Sequence, residues 1–141
     1  MTGSILCFDY GLKNIGVAVG NLLLQTASEL PPLKARDGIP DWQQIAHLIN
    51  EWQATELVVG HPLNMDDTAS ELSRRATKFG NRLHGRFGLP VAMVDERLST
   101  REAKEEARLR HHSGNYKQDP VDSIAARIIL QTWFQEQTNP A

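Results

Sequence analysis

Two short apolar runs near the N-terminus constrain the fold most. Residues 5–9 and 15–20 are rich in β-branched, aromatic and small apolar side chains, and a turn that contains Gly11 separates them. Continuous apolar runs of this length are typical of strands that are buried on both faces of a sheet. The first run ends in a lone carboxylate, Asp9. Because a buried charge is costly unless it is paired or binds a metal ion, Asp9 either caps the following turn or points into a site.

The order of elements along the chain predicts an α/β fold. The first three strands form a meander, and Pro31-Pro32 should end the third because proline donates no ladder hydrogen bond. Two later strands alternate with helices, so they must run parallel to the first strand. The predicted strands are 5–9, 15–20, 22–29, 56–60 and 91–95. The sequence therefore predicts a five-stranded mixed β-sheet flanked by α-helices, in a single domain that covers residues 1–141.

Start signals and apolar spacing predict four helices. Pro40-Asp41 begins the first helix, and a capping box of Thr68 and Glu71 precedes a long amphipathic helix that runs to about residue 86. A second capping box, Ser99 with Glu102, precedes a short charged helix at 101–110. Asp119-Pro120 begins the last helix, which runs to about residue 135. Its buried candidates are Val121, Ala125, Ile128 and Trp133.

Charge is unevenly distributed along the chain. The formal net charge is −2, yet residues 74–117 hold eleven of the 15 Lys and Arg and only five of the 17 Asp and Glu. This basic section is either a phosphate-facing surface or a solvated helix face with mixed charges. The single cysteine, Cys7, fits a reducing cytoplasm, and neither a signal peptide nor an apolar run of about 20 residues is present.

Acidic side chains stand at the ends of several elements. Asp9 ends the first strand, Asp95 and Glu96 end the fifth, and Asp119 and Asp122 begin the last helix. Ligands of open α/β sheets gather at the carboxyl ends of the strands, so three of these acids could converge there. Converging carboxylates favour Mg²⁺ or Mn²⁺, and two such ions can cleave a phosphodiester.

Each acid also has a purely structural interpretation. Asp119 can serve as a helix cap, and Asp122 can favour the helix dipole. Either Asp95 or Glu96 can pair with Arg97 or Arg101.

Four segments in order resemble the motifs of the RuvX family, which is also called YqgF. They are 8–18 (FDYGLKNIGVA), 58–64 (VVGHPLN), 95–100 (DERLST) and 121–126 (VDSIAA). The resemblance implies a ribonuclease H-like fold and a nuclease that matures the 5′ end of the 16S ribosomal RNA precursor. Similarity to the RuvC resolvases implies a second activity, cleavage of Holliday junctions. By motif, Asp9, Glu96 and Asp122 would be the catalytic acids and the metal ligands, with Asp95 as the fallback for Glu96.

The sequence departs from the relatives at two places. RuvC relatives carry a glutamate at the end of the fourth strand, where this chain has Gly60-His61-Pro62. The family's turn often holds an arginine where this chain has Asn14.

Six basic residues are the expected nucleic-acid contacts. Lys13, Arg97 and Arg101 lie near the strand ends, and Arg74, Arg75 and Arg82 lie on the long amphipathic helix that runs to about residue 86.

Three functional hypotheses remain open on the sequence. The first is a Mg²⁺- or Mn²⁺-dependent nuclease acting on structured or precursor RNA, with ribosomal particles as a further partner. The second is a four-way-junction resolvase, which would need two active sites and therefore a dimer. The third is an RNA-binding ribosome assembly factor without catalysis. The chain is expected to be cytoplasmic and to form a monomer or a weak dimer.

Overall fold

The computed structural model describes residues 3–61, 70–95 and 121–138. Six strands are present in these ranges: β1 (Ser4–Asp9), β2 (Asn14–Asn21), β3 (Thr26–Arg36), β4 (Ile39–Pro40), β5 (Ala54–His61) and β6 (Val91–Asp95). The helices are α1 (Trp42–Trp52), α2 (Glu71–Phe87) and α3 (Val121–Thr138). The predicted helix at 101–110 and the start signals at Thr68, Ser99, Glu102 and Asp119-Pro120 lie outside the described residues.

The strands form one mixed sheet in the order β4-β3-β2-β1-β5-β6. β1 pairs antiparallel with β2, which pairs antiparallel with β3. β5 runs parallel to β1, and β6 runs parallel to β5, as the helical crossovers require. The predicted mixed α/β sheet is confirmed, with six strands rather than five. The additional strand, β4, is only two residues long and pairs with the end of β3.

The prediction that Pro31-Pro32 end the third strand is wrong. β3 continues through both prolines to Arg36. Leu30 pairs with Val17 and Leu33 pairs with Ile15. Between these two pairs β3 has two residues, Pro31 and Pro32, whereas β2 has one, Gly16. This bulge removes the prolines from the regular hydrogen-bond ladder, which is why the strand tolerates them.

The third strand also begins later than the predicted residue 22. Residues 22–25 form a turn in which the Asn21 side chain accepts hydrogen bonds from the backbone N–H groups of Leu23 and Leu24, both at 2.9 Å. Gln25 closes the turn in the left-handed region, with φ 56°.

The sheet separates two apolar cores. On one face, here called the α2 face, Leu6 and Phe8 pack with α1 and α2. On the other, here called the α3 face, Ile5 and Cys7 pack with α3. Successive side chains of a strand point to opposite faces, so Asp9, which follows Phe8, belongs to the α3 face.

Small residues let α3 lie close to the centre of the sheet. β2 presents Gly16, Ala18 and Gly20 to α3, and a Cβ atom at Gly20 would lie only 2.9 Å from side-chain carbons of Leu130 and Phe134. Of the buried candidates on this helix, Ile128 is buried, whereas Ala125 and Trp133 are half-buried. The side chain of Val121 is outside what the structure describes.

Helices α1 and α2 each begin after a residue whose side chain caps the first turn. Asp41 caps α1 as predicted and accepts from the Gln43 N–H at 2.9 Å. The N-cap of α2 is Ser70, which accepts from the Ser73 N–H at 3.0 Å, so the prediction of a Thr68–Glu71 box is wrong. Glu71 is instead the first helical residue, where its charge favours the helix dipole. In the part of the chain that the structure describes, no helix is both long and apolar enough to cross a membrane.

Candidate active site and its basic surroundings

Asp9 lies at the carboxyl end of the central strand β1, between two glycines. Gly16 is its register partner on β2. On the other side, Gly60 follows Val59, which pairs with Phe8. Because glycine has no side chain, the adjacent positions of β2 and β5 contribute only backbone next to the half-buried Asp9 on the α3 face.

The start of α3 is fixed to this same face by a buried serine. Ser123 is only 1% exposed. Its Oγ donates to the Leu30 carbonyl at 2.6 Å and accepts from the Val17 N–H at 3.4 Å. Val17 and Leu30 are register partners at one end of the β3 bulge, next to Gly16. Asp122 immediately precedes Ser123, so its backbone is held at the edge where β1 ends, although its side chain is outside what the structure describes.

Ser123 is a site feature that our sequence reasoning missed. The detectable signal was a hydroxyl directly before the apolar run 124–126 and directly after Asp122. A fully buried hydroxyl needs hydrogen-bond partners, so such a residue indicates a specific backbone contact.

Asp95 and Asp9 are on opposite faces of the sheet. Val94 belongs to the core on the α3 face, so Asp95, the next residue, belongs to the α2 face. Asp95 is level with His61 on β5. Nε2 of His61 lies 3.4 Å from Oγ1 of Thr77 on α2, which agrees with this assignment. Glu96, Arg97 and Arg101 lie outside the described residues.

Of the three expected metal ligands, Asp9 has a described side chain, whereas Glu96 and the side chain of Asp122 lie outside what the structure describes. Within residues 3–61, 70–95 and 121–138, no group of three His, Cys, Asp or Glu side chains could hold a metal ion. The oxygen chemistry of the Asp9 carboxylate fits a hard divalent cation.

The predicted basic contacts have different surroundings. Lys13 is exposed in the turn between β1 and β2. Arg74 pairs with Glu71 at 3.4 Å, and Arg75 pairs with Asp37 at 3.1 Å and with Glu71 at 3.6 Å. None of the salt bridges between described residues involves Arg82.

A cavity of about 200 Å³ opens beside α2 on the α2 face. Its lining residues are Tyr10, Asp37, Gly38, Ile39, Trp42, Arg75, Lys78, Phe79 and Arg82. The buried Tyr10 hydroxyl donates to the Gly38 carbonyl at 3.1 Å. Burial raises the pKa of Tyr10 despite the opposing charge of Arg75, so the phenol stays protonated at neutral pH. The hydrogen bond to Asp37 likewise raises the pKa of Arg75.

Comparisons with known proteins agree with the geometry of the fold. A solved structure of RuvC from Thermus thermophilus in complex with a Holliday junction substrate superposes with a TM-score of 0.58 and 16% identity, covering 97% of this chain and 96% of the other. A second structure of Thermus thermophilus RuvC gives a TM-score of 0.55 and 14% identity, covering 96% of each chain. The architecture is therefore ribonuclease H-like.

Sequence relatives are much more similar. The protein called "Putative pre-16S rRNA nuclease" from Chromohalobacter salexigens is 63% identical over 134 residues, covering 95% of this chain and 90% of the relative. Its namesake from Saccharophagus degradans is 56% identical over 133 residues, covering 94% of each chain. The family model described as "RuvX: Holliday junction resolvase" matches residues 3–136. This chain therefore belongs to the RuvX family of nucleases.

Proposed function

We propose that this protein is a metal-dependent nuclease that processes the 5′ end of pre-16S rRNA, with Asp9, Glu96 and Asp122 as metal ligands. One observation carries the proposal. Asp9 stands between two glycines at the carboxyl end of β1, on the face where Ser123 fixes the start of α3. The names of the similar proteins supply the substrate class.

Mg²⁺ or Mn²⁺ is the ion class that suits carboxylate oxygens and RNA phosphates together. When bound, two such ions supply an activated water and charge stabilisation at the leaving oxygen. Asp9 and Asp122 would approach the site from β1 and from α3. Glu96 is the better candidate for the third ligand because Asp95 belongs to the opposite face from Asp9.

Basic residues around this edge would position the RNA. Lys13 follows Asp9 by four residues and is exposed, and Arg97 and Arg101 follow the proposed third ligand in sequence. Arg74, Arg75 and Arg82 lie on α2, which covers the other face of the sheet. Positioning and charge stabilisation would provide most of the catalysis.

The test is cleavage of a labelled pre-16S rRNA fragment by purified variants in Mg²⁺ or Mn²⁺. Asp9→Asn, Glu96→Gln and Asp122→Asn should each lower the cleavage rate by at least about a hundredfold, as expected for lost transition-state stabilisation. Asp9→Asn should bind RNA as tightly as the unmodified chain or more tightly, because it removes a negative charge from a phosphate site.

Asp95→Asn is the matched control for Glu96→Gln. It removes an adjacent charge that belongs to the α2 face, so cleavage should stay within about threefold of the unmodified chain. Loss of cleavage in Asp95→Asn with retention in Glu96→Gln would overturn the assignment of the third ligand. Full cleavage by Asp9→Asn would overturn the metal-nuclease proposal itself.

The second candidate function is resolution of four-way DNA junctions. It is favoured by the description of the family model and by the similarity to RuvC in complex with a Holliday junction. A resolvase would cut two strands symmetrically and would need a dimer. Sedimentation with and without a synthetic junction, together with mapping of the cut positions, distinguishes this activity from RNA processing.

A further inference from the structure

The cavity beside α2 concentrates positive charge away from the proposed metal site. Arg75, Lys78 and Arg82 line it from one helix, at spacings of three and four residues that place them on the same side of α2. Asp37 is the acidic residue of the lining and pairs with Arg75 at 3.1 Å. Three cations and one carboxylate leave the cavity with a formal charge of +2, so it favours a dianion.

Buried residues form part of the cavity lining. Tyr10, Gly38 and Phe79 are buried. Gly38 has φ 80°, and a Cβ atom there would overlap the Tyr10 hydroxyl, so the glycine lets the loop after β3 fit against the phenol.

The three aromatic rings of the lining, those of Tyr10, Trp42 and Phe79, pack against one another. Phe79 stacks on Trp42 with ring centroids 5.8 Å apart and planes at 27°. The Arg86 guanidinium lies 4.3 Å from the centroid of the Trp42 ring. Both contacts use the faces of the indole, so the cavity offers charge rather than a stacking platform. These features favour a compact anion over a nucleobase.

We propose that this cavity binds the terminal phosphate monoester of an RNA strand. A terminal phosphate carries about −1.5 to −2 charges at neutral pH, as a phosphorylated side chain does, whereas an internal phosphodiester carries only one. Lys78 and Arg82 would contact the phosphate, and Arg75 would contribute while it remains tied to Asp37. The inference rests on the proposed RNA-processing function and adds recognition of a strand end to it.

The cavity lies on the α2 face, whereas Asp9 lies on the α3 face, and Tyr10 directly follows Asp9 in sequence. A strand held by its end in the cavity would therefore cross the edge of the sheet near the carboxyl end of β1 to reach the proposed metal site. The terminal phosphate would act as a positioning contact, separate from the reacting atoms.

The experiment compares short single-stranded RNAs of one sequence that carry a 5′-phosphate, a 3′-phosphate or hydroxyls at both ends. Binding is measured by fluorescence anisotropy in a chelating buffer, so that no cleavage occurs. The unmodified chain should bind one of the phosphorylated RNAs at least about tenfold more tightly than the hydroxyl RNA. Which of the two it prefers identifies the strand end.

Variants locate the contact. Lys78→Gln with Arg82→Gln should reduce the preference for phosphorylated RNA to less than about twofold, whereas the charge-preserving pair Lys78→Arg with Arg82→Lys should keep most of it. Arg86→Gln removes one charge from the same helix outside the cavity lining. It should weaken the binding of all three RNAs equally and leave the ratio of their affinities unchanged.

Two results would overturn the proposal. One is equal affinity of the unmodified chain for the phosphorylated and hydroxyl RNAs, and the other is an unchanged preference in the Lys78→Gln, Arg82→Gln variant. Adenosine 5′-monophosphate as a competitor distinguishes a free nucleotide from a strand end; if it binds as tightly as the RNA, the strand-end assignment is wrong. Because binding is measured without cleavage, failure here leaves the nuclease proposal standing, and the converse also holds.

Discussion

Replacing Ser123 by alanine tests how the structure holds α3 against the sheet. The hydroxyl is 1% exposed and satisfies the Leu30 carbonyl at 2.6 Å and the Val17 N–H at 3.4 Å. Leaving a buried polar group unsatisfied costs about 1–3 kcal/mol. The long bond to Val17 contributes little, so Ser123→Ala should lower the free energy of unfolding by about 2 kcal/mol.

Urea unfolding measures this change. With a slope of about 2 kcal/mol per molar urea, the midpoint should fall by about 1 M while the slope stays constant. Thr132→Val is the matched control on the same helix, because the Thr132 hydroxyl only donates to the Ile128 carbonyl one turn earlier, at 3.0 Å. Thr132→Val should therefore change the free energy of unfolding by less than about 0.5 kcal/mol. Equal effects of the two variants would refute the proposed role of Ser123.

Two further pairs of variants test packing and charge. Gly85→Ala should raise the free energy of unfolding by about 0.8 kcal/mol, because nothing lies within 4 Å of the added Cβ. In Gly80→Ala, on the same helix, the added Cβ would lie 3.1 Å from the Met93 sulfur, so this variant should not stabilise the fold. A double-mutant cycle on Glu29 and Arg127 should give a coupling energy of about 1–2 kcal/mol, since their 2.9 Å ion pair is only 17–20% exposed; a value near zero would show that the pair does not stabilise the fold.

The sheet could be predicted because its signals are local. The apolar runs, the connecting helices and the handedness rule were sufficient for the pairing of the central strands. The path of β3 was not predictable in the same way, because a proline pair ends a strand in most settings. Here a bulge opposite Gly16 accommodates the prolines, and the hydroxyl of Ser123, which is distant in sequence, bonds to the Leu30 carbonyl and the Val17 N–H beside it.

The site was predictable only in its outline. Asp9 at a strand end and Asp122 at a helix start follow from element boundaries, which sequence patterns indicate well. The cavity beside α2 depends on Asp37 and Gly38, which follow β3, meeting Tyr10 and α2 across the fold. Such contacts between distant segments carry no periodic signal, so the sequence indicated a basic helix and not the cavity that it lines.

Whether Asp9 belongs to the metal site of an RNA-processing nuclease is tested by one comparison. Labelled pre-16S rRNA and a synthetic four-way DNA junction are incubated with the unmodified chain and with Asp9→Asn, with Mg²⁺, with Mn²⁺ and with chelator. We expect metal-dependent cleavage of the RNA near its mature 5′ end by the unmodified chain alone. Cleavage of the RNA by Asp9→Asn at the same rate, or cleavage in chelator, would contradict this expectation.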